Sequence, residues 1–204
     1  MNRLFAICCL LLACPSAATT LPRLQVGQLF ELSEVVVLVQ IEEGQLLRTR
    51  KNYSCGAEYK ARVLDSIKGH FQKNDIISFG PYHGESIGAK RVLFLARTSE
   101  KLSQYASSSS VELDEEETHY KKCKSLLPKY SLVFSGFGSV EVSFTTKFDY
   151  KEAVIIKNEW LVPPIGLETK IREPEDNQVI SKNGESWLRL EDFMRYLHSL
   201  ERAK

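Results

Sequence analysis

The stretch Glu34-Val35-Val36-Val37-Leu38-Val39-Gln40-Ile41 decides the fold of this chain. It has the length of a strand, and most of its side chains are β-branched, a type that packs well on a pleated surface. A strand with one solvated face alternates apolar and polar residues, whereas five apolar residues follow one another here. We therefore predict a strand that is buried on both faces.

The flanking segments predict a mainly β protein. The spacing of Val26, Leu29 and Phe30 favours one short helix before the apolar run. Three further strands follow it, separated by turn residues such as Lys68-Gly69; they are expected at residues 57–67, 75–79 and 91–96.

The second half of the chain predicts shorter strands and a final helix. The expected strands are residues 130–134, 140–144, 153–156 and 160–162. Asn183-Gly184 is typical of a two-residue turn and predicts a hairpin of 179–182 with 185–188. Phe193, Leu197 and Leu200 recur at helical spacing, so we expect a helix at residues 191–202.

The N-terminus has the pattern of a secretory signal peptide. Arg3 precedes the apolar run Leu4–Ala13, and small residues end the segment at Ser16-Ala17-Ala18. We expect cleavage after Ala18, which gives a secreted or periplasmic protein. Leu11-Leu12-Ala13-Cys14 also resembles a bacterial lipobox, so the alternative is a protein anchored to the cell envelope by a lipid on Cys14.

Two of the five cysteines remain after cleavage at Ala18. In an oxidising compartment the pair Cys55 and Cys123 predicts one disulfide bond, with two free thiols as the alternative. Neither cysteine has a partner at CxxC or CxxH spacing, and no HExxH sequence occurs, so we expect no metal.

The charge balance excludes one class of partner. Removal of residues 1–18 takes away one basic residue, Arg3, and leaves 26 basic against 26 acidic residues. Binding to nucleic acid depends on clustered Lys and Arg, so we expect none. The remaining candidates are a protein or a small ligand outside the cytoplasm, with membrane contact only through a lipid on Cys14.

Four segments together resemble the netrin-module or tissue-inhibitor-of-metalloproteinases-like superfamily over about residues 26–97. They are the apolar strand 34–39, the strand 59–69 that ends in Lys68-Gly69, the strand 75–79, and the Gly-led strand 88–95. The resemblance implies an OB-like five-stranded barrel in residues 19–125. We expect a β-rich extension in residues 126–204 that ends in the helix 191–202.

The inhibitory device of that superfamily does not transfer to this chain. Its metalloproteinase inhibitors chelate zinc through the amine and carbonyl of an N-terminal cysteine. Cleavage after Ala18 leaves Thr19 at the terminus, and acylation of Cys14 blocks the amine. We therefore expect a similar barrel without that activity.

No segment predicts catalysis or a cofactor site. His83 and Glu85 lie close together in sequence, but a triad is defined by geometry, and no GxSxG sequence occurs. Gly136-Phe137-Gly138 lacks the βαβ context of a phosphate loop. The sequence favours an exported, non-catalytic binding module; an envelope-associated lipoprotein with a structural role and a hydrolase with a site near His83 are the alternatives.

Overall fold

A computed structural model describes residues 23–81, 84–98, 121–159, 161–172 and 184–203. The helices in these ranges are α1 (Val26–Leu32) and α2 (Leu190–Arg202). The strands are β1 (Leu24–Gln25), β2 (Val35–Arg48), β3 (Ser54–Lys68), β4 (Ile76–Phe79), β5 (Lys90–Arg97), β6 (Tyr130–Leu132), β7 (Ser139–Phe144), β8 (Glu152–Lys157), β9 (Leu161–Val162), β10 (Thr169–Arg172) and β11 (Glu185–Arg189).

Five strands close into a barrel in the order β2-β3-β4-β6-β5, with β5 pairing back to β2. The pairings are antiparallel except for β4 with β6, which is parallel. The OB-like barrel predicted from the sequence is therefore confirmed. The strand that closes the barrel, β6, lies after residue 125, where the sequence analysis placed the end of the barrel domain.

The first part of β2, Val35–Val39, is buried on both faces, as its sequence predicts. Val35, Val37 and Val39 point into the barrel, where their exposure is 1% or less. Val36 and Leu38 point outwards into a second core, which lies between the barrel, α1 and α2. A single strand thus contributes apolar side chains to both cores.

The β-rich extension continues the same sheet beyond β5. Its strands follow in the order β7-β8-β11-β10. One face carries Val142, Val154 and Leu188, which pack under α1 and α2 in the second core. The opposite face, which we call the open face, carries the register row Arg91, Glu141, Ile155, Trp187 and Lys170.

The Lys68-Gly69 pair joins the end of β3 to α1. The Lys68 ammonium donates to the carbonyl oxygen of Phe30 at 2.9 Å and lies over the Phe30 ring. A cation at a helix C-terminus interacts favourably with the helix dipole. Gly69 has φ +102°, a conformation that favours glycine, and an added Cβ would lie 3.2 Å from the Glu34 oxygen.

The barrel and the extension separate at a bulge on one edge of β5. Leu132 of β6 pairs with Leu95, and Ser139 of β7 pairs with Leu93, so both strands run along the same edge in the same direction. The six residues between them interrupt the register: Val133 still donates its N–H to the Phe94 oxygen at 2.9 Å, and a 3-10 turn follows at Ser135–Gly138. We call this excursion the fork, because β6 completes the barrel and β7 begins the extension.

The backbone of the fork is strained and close-packed. Phe134 has φ 51° and ψ 41°. This left-handed conformation is unusual for a bulky side chain. Gly138 crosses the strand so closely that an added Cβ would lie 2.6 Å from the Val133 oxygen and 2.8 Å from the Phe94 oxygen.

A disulfide bond joins Cys55 at the start of β3 to Cys123, with the Cα atoms 5.6 Å apart. Both residues are fully buried and form a small cluster with Leu47, Leu126 and Leu127. The pairing predicted from the sequence is thus present, and it ties the β2–β3 hairpin to the segment that leads into β6.

Further differences from the sequence-based expectations lie at the N-terminus and in the extension. The two-residue strand β1 was not predicted. Strand β10 was not predicted, because Ile171 is its single strongly apolar residue and is 65% exposed. Residues 179–183 of the expected hairpin lie outside the described residues, and β11 pairs along its two edges with β10 and β8. Among the helices that the structure describes, none combines the length and apolarity needed to cross a membrane.

Substitution Gly138→Ala is expected to destabilise the protein by about 2 kcal/mol, because the new methyl group would contact two backbone oxygens that cannot move independently. Urea unfolding would measure the loss. Gly27→Ala is the matched control, because its Cβ would meet nothing nearer than 3.6 Å. The helix propensity of alanine should therefore stabilise α1 by about 0.5–1 kcal/mol. Equal stability of the two variants would contradict the close approach at the fork.

Loss of the disulfide in Cys55→Ala/Cys123→Ala should lower the free energy of unfolding by about 4 kcal/mol, because the bond closes a long loop in the unfolded chain. The two cysteines are separated by 68 residues. Denaturant unfolding of the variant and the wild type would measure the difference. A loss below about 1 kcal/mol would show that the bond does not restrict the unfolded ensemble in this way.

Candidate binding cleft

A cleft opens where strands β7 and β8 separate. Their register runs from Glu141–Ile155 to Phe144–Glu152 and ends there. Strand β7 begins two residues earlier, at Ser139, and β8 continues two residues further, to Lys157. Each strand stays paired on its other side, β7 with β5 and β8 with β11, so the sheet divides into two halves around the gap.

This gap, which we call the fork cleft, has a volume of about 290 Å³. Its floor is formed by Val140, Ile156 and Leu161 of the second core. The β4–β5 loop and the 3-10 turn of the fork form one wall. The full lining is Gly84, Glu85, Arg91, Gly136, Phe137, Ser139, Val140, Glu141, Ile155, Ile156, Lys157 and Leu161.

A buried ion pair fixes one wall of the fork cleft. The Arg91 Nε donates to Glu85 Oε2 at 2.6 Å, and the Glu85 side chain is only 2% exposed. The Ser139 hydroxyl donates to the other oxygen of the same carboxylate. This network attaches the β4–β5 loop to the first residue of β7, directly after the strained fork.

Glu141 has a weaker contact with the same guanidinium. Its Oε2 lies 3.8 Å from Arg91 Nη1, and its side chain is 45% exposed. That separation is beyond hydrogen-bond distance. Arg91 is already bound by Glu85, so the Glu141 carboxylate keeps acceptor capacity at the mouth of the cleft. Lys157 is exposed on the same face, two residues beyond Ile155.

The chemistry of these groups suits binding better than nucleophilic attack. The Ser139 hydroxyl donates a hydrogen bond to Glu85, but an adjacent base activates a hydroxyl only when it can take the hydroxyl proton. The Glu85 carboxylate is already bound by the Arg91 guanidinium and is therefore not free to act as that base. The cleft offers fixed charges and an apolar floor, the arrangement that orients a ligand.

An aromatic cluster lies further along the open face. The loop between β7 and β8 packs Phe148 edge-on against Trp187, with ring centroids 5.8 Å apart, and Tyr150 stacks on Phe148. Burial raises the pKa of Tyr150 above its ordinary value. Arg189 lies over the Tyr150 ring and binds Asp149 at 2.8 Å. The rings and the charged groups of this cluster therefore contact one another, while the buried Trp187 Nε1 has no hydrogen-bond partner among the described residues.

The residues that the sequence analysis singled out lie at different places in the structure. Glu85, Gly136 and Phe137 line the fork cleft, although the sequence analysis favoured no site at either segment. His83 lies outside the described residues, as do Cys14 and Ala18. His70 stacks on Phe71 with ring centroids 4.4 Å apart, away from the cleft.

Sequence analysis missed Arg91, Glu141 and Lys157 as site residues. Each lies in a strand, and their proximity depends on register: Arg91 pairs with Glu141, and Glu141 pairs with Ile155. The one available signal was the alternation of polar and apolar residues in Val140–Phe144, which marks a face that is not covered. Within the described ranges, no group of three His, Cys, Asp or Glu side chains is placed to hold a metal ion.

Comparison with known proteins finds no family model and no curated protein that matches this chain. The resemblance to the netrin-module superfamily therefore stays a prediction that rests on the four sequence segments, and the closed barrel is the part of it that the fold confirms.

Substitution Arg91→Met is expected to destabilise the protein by about 3 kcal/mol, because it leaves the buried Glu85 carboxylate without its counter-charge. Glu141→Gln removes a charge that is 45% exposed. It should change stability by less than about 1 kcal/mol. Thermal and urea unfolding of both variants would measure the difference. A tolerated Arg91→Met would mean that Glu85 is hydrated or protonated rather than ion-paired.

Proposed function

We propose that this chain is an exported, non-catalytic binding module whose ligand or partner docks in the fork cleft. The observation that carries the proposal is the division of the sheet at Glu141–Ile155, which leaves a charged cleft over an apolar floor. The fork, the bulge on the edge of β5, lies beside this cleft, and bulges occur preferentially next to functional sites.

Two further features support binding at this place. Phe134 adopts a strained backbone conformation at the fork, and such strain concentrates at ligand sites, where the surrounding structure maintains it. The Glu85–Arg91–Ser139 network holds the wall of the cleft in one geometry before any ligand arrives. Such preorganisation lowers the entropic cost of binding.

Export is supported by the signal-like pattern of residues 1–18, and the Cys55–Cys123 disulfide is consistent with an oxidising compartment. In this proposal the partner is a protein or small ligand outside the cytoplasm. Intact mass and N-terminal sequencing of the protein from its native host test this location. We expect the mature protein to start at Thr19; a start at acylated Cys14 would make the module envelope-anchored.

Site-specific photo-crosslinking in the native host tests binding at the cleft. With p-benzoylphenylalanine in place of Lys157, irradiation should give an adduct of the exported protein, because this exposed position lies at the mouth of the cleft. The matched control places the same group at Lys73, an exposed position between β3 and β4. Adducts at Lys73 alone, or at neither position, would contradict the assignment of the cleft.

A further inference from the structure

The end of the β2–β3 hairpin carries charge of one sign. The last register pairs that join β2 and β3 to other barrel strands are Gln40–Lys90 and Tyr59–Phe79. Beyond them, residues 46–57 form a two-stranded extension, which we call the arm. The arm contains no acidic residue, and its three basic residues are Arg48, Arg50 and Lys51.

The disulfide bond brings a second basic segment to the arm. Cys123 is bonded to Cys55 of the arm and lies within the run Lys121-Lys122-Cys123-Lys124. The Lys122 ammonium lies 4.8 Å from the centre of the Tyr53 ring. The two segments therefore form one surface, which we call the basic end. Its six basic residues, all of them exposed, are Arg48, Arg50, Lys51, Lys121, Lys122 and Lys124.

Little in the described structure compensates these charges. Arg48 donates to the side-chain oxygen of Asn52, a neutral group, at 2.8 Å. Among the described residues, no ion pair involves Arg50, Lys51 or Lys124. Glu58, which follows the arm directly, already accepts hydrogen bonds from its own neighbours in β2 and β4. A surface of one sign attracts ions of the other sign even on a chain whose total charge is near zero.

Apolar side chains are exposed beside these cations. Leu46, two residues before Arg48, is 59% exposed, and Tyr53 is 37% exposed next to Lys122. Binding to a membrane surface combines apolar contact at the headgroup level with attraction of Lys and Arg to anionic lipids. A tyrosine suits that boundary, because its ring is apolar and its hydroxyl is polar. A soluble polyanion would use the cations but would gain little from the leucine.

We infer that the basic end binds the surface of a membrane that contains anionic phospholipids. The cations attract the lipid phosphates, while Leu46 and Tyr53 contact the headgroup region. No residue of the basic end lines the fork cleft, so this surface is separate from the proposed ligand site. The contact holds the module at a membrane without a lipid on Cys14, in contrast to the expectation from the sequence.

Vesicle sedimentation tests the inference on the mature protein that starts at Thr19. Vesicles of phosphatidylcholine with about one third phosphatidylglycerol should bind it about tenfold or more tightly than vesicles of phosphatidylcholine alone. Salt at about 1 M should release it, because the Debye length falls to about 3 Å. Equal binding to both vesicles would overturn the inference. Binding to neither, the result expected if the acidic residues 112–117 neutralise the basic end, would also overturn it.

Charge removal tests whether the basic end is the contact surface. The variant Lys51→Gln/Lys124→Gln takes one cation from each segment and should weaken binding to the anionic vesicles about 25-fold, because each cation near such a surface contributes about fivefold. The matched control Lys147→Gln/Lys151→Gln removes two exposed cations from the β7–β8 loop and should change binding less than about twofold. Equal losses in the two variants would overturn the assignment to the basic end.

Removal of the exposed leucine separates a lipid surface from a soluble polyanion. Leu46→Ser should weaken binding to the anionic vesicles about fivefold, because the leucine no longer leaves water on contact, and should leave binding to heparin unchanged. The matched control Ile165→Ser, at a position 94% exposed between β9 and β10, should change neither. Heparin binding without vesicle binding would overturn the membrane assignment. Unchanged vesicle binding in Leu46→Ser, with the fold confirmed by circular dichroism, would overturn it as well.

Discussion

The pairing of β2 with β5 holds the two parts of this molecule together. Six register pairs, from Val35–Leu95 to Gln40–Lys90, join the two strands at the boundary between the barrel and the extension. Side chains from both strands enter the barrel on one face and the second core on the other. Each core therefore depends on the same backbone hydrogen bonds, and neither part has its own independent central strand.

This shared strand pair also explains why the cleft lies where it does. The free edge of β5 is long enough for two strands, and the chain places β6 and β7 on it in succession. The barrel requires β6 to curve towards β4, whereas the extension requires β7 to follow β8. The six residues of the fork absorb that difference in direction, and the gap between β7 and β8 begins immediately after them.

The fold was largely predictable because its main signals are local. The apolar run at Val35–Val39 predicts strand β2, and the Lys68-Gly69 turn predicts the end of β3, regardless of the rest of the chain. The fork cleft was not predictable, because Arg91 and Glu141 meet only through a strand register that a bulge resets. Residues of the β4–β5 loop, such as Glu85, show their role only when a distant strand supplies Ser139 as partner.

The disulfide has a consequence for the connectivity of the chain rather than for its packing. Cys55 and Cys123 close a covalent ring that contains nearly all of β3 and the whole of β4 and β5, while β2 and β6 lie outside it. Cleavage of any single peptide bond within that ring leaves the two fragments linked as one molecule. A cut between β5 and Cys123 would therefore leave β5 and β6 in one covalent molecule, whereas a cut between Cys123 and β6 would separate them.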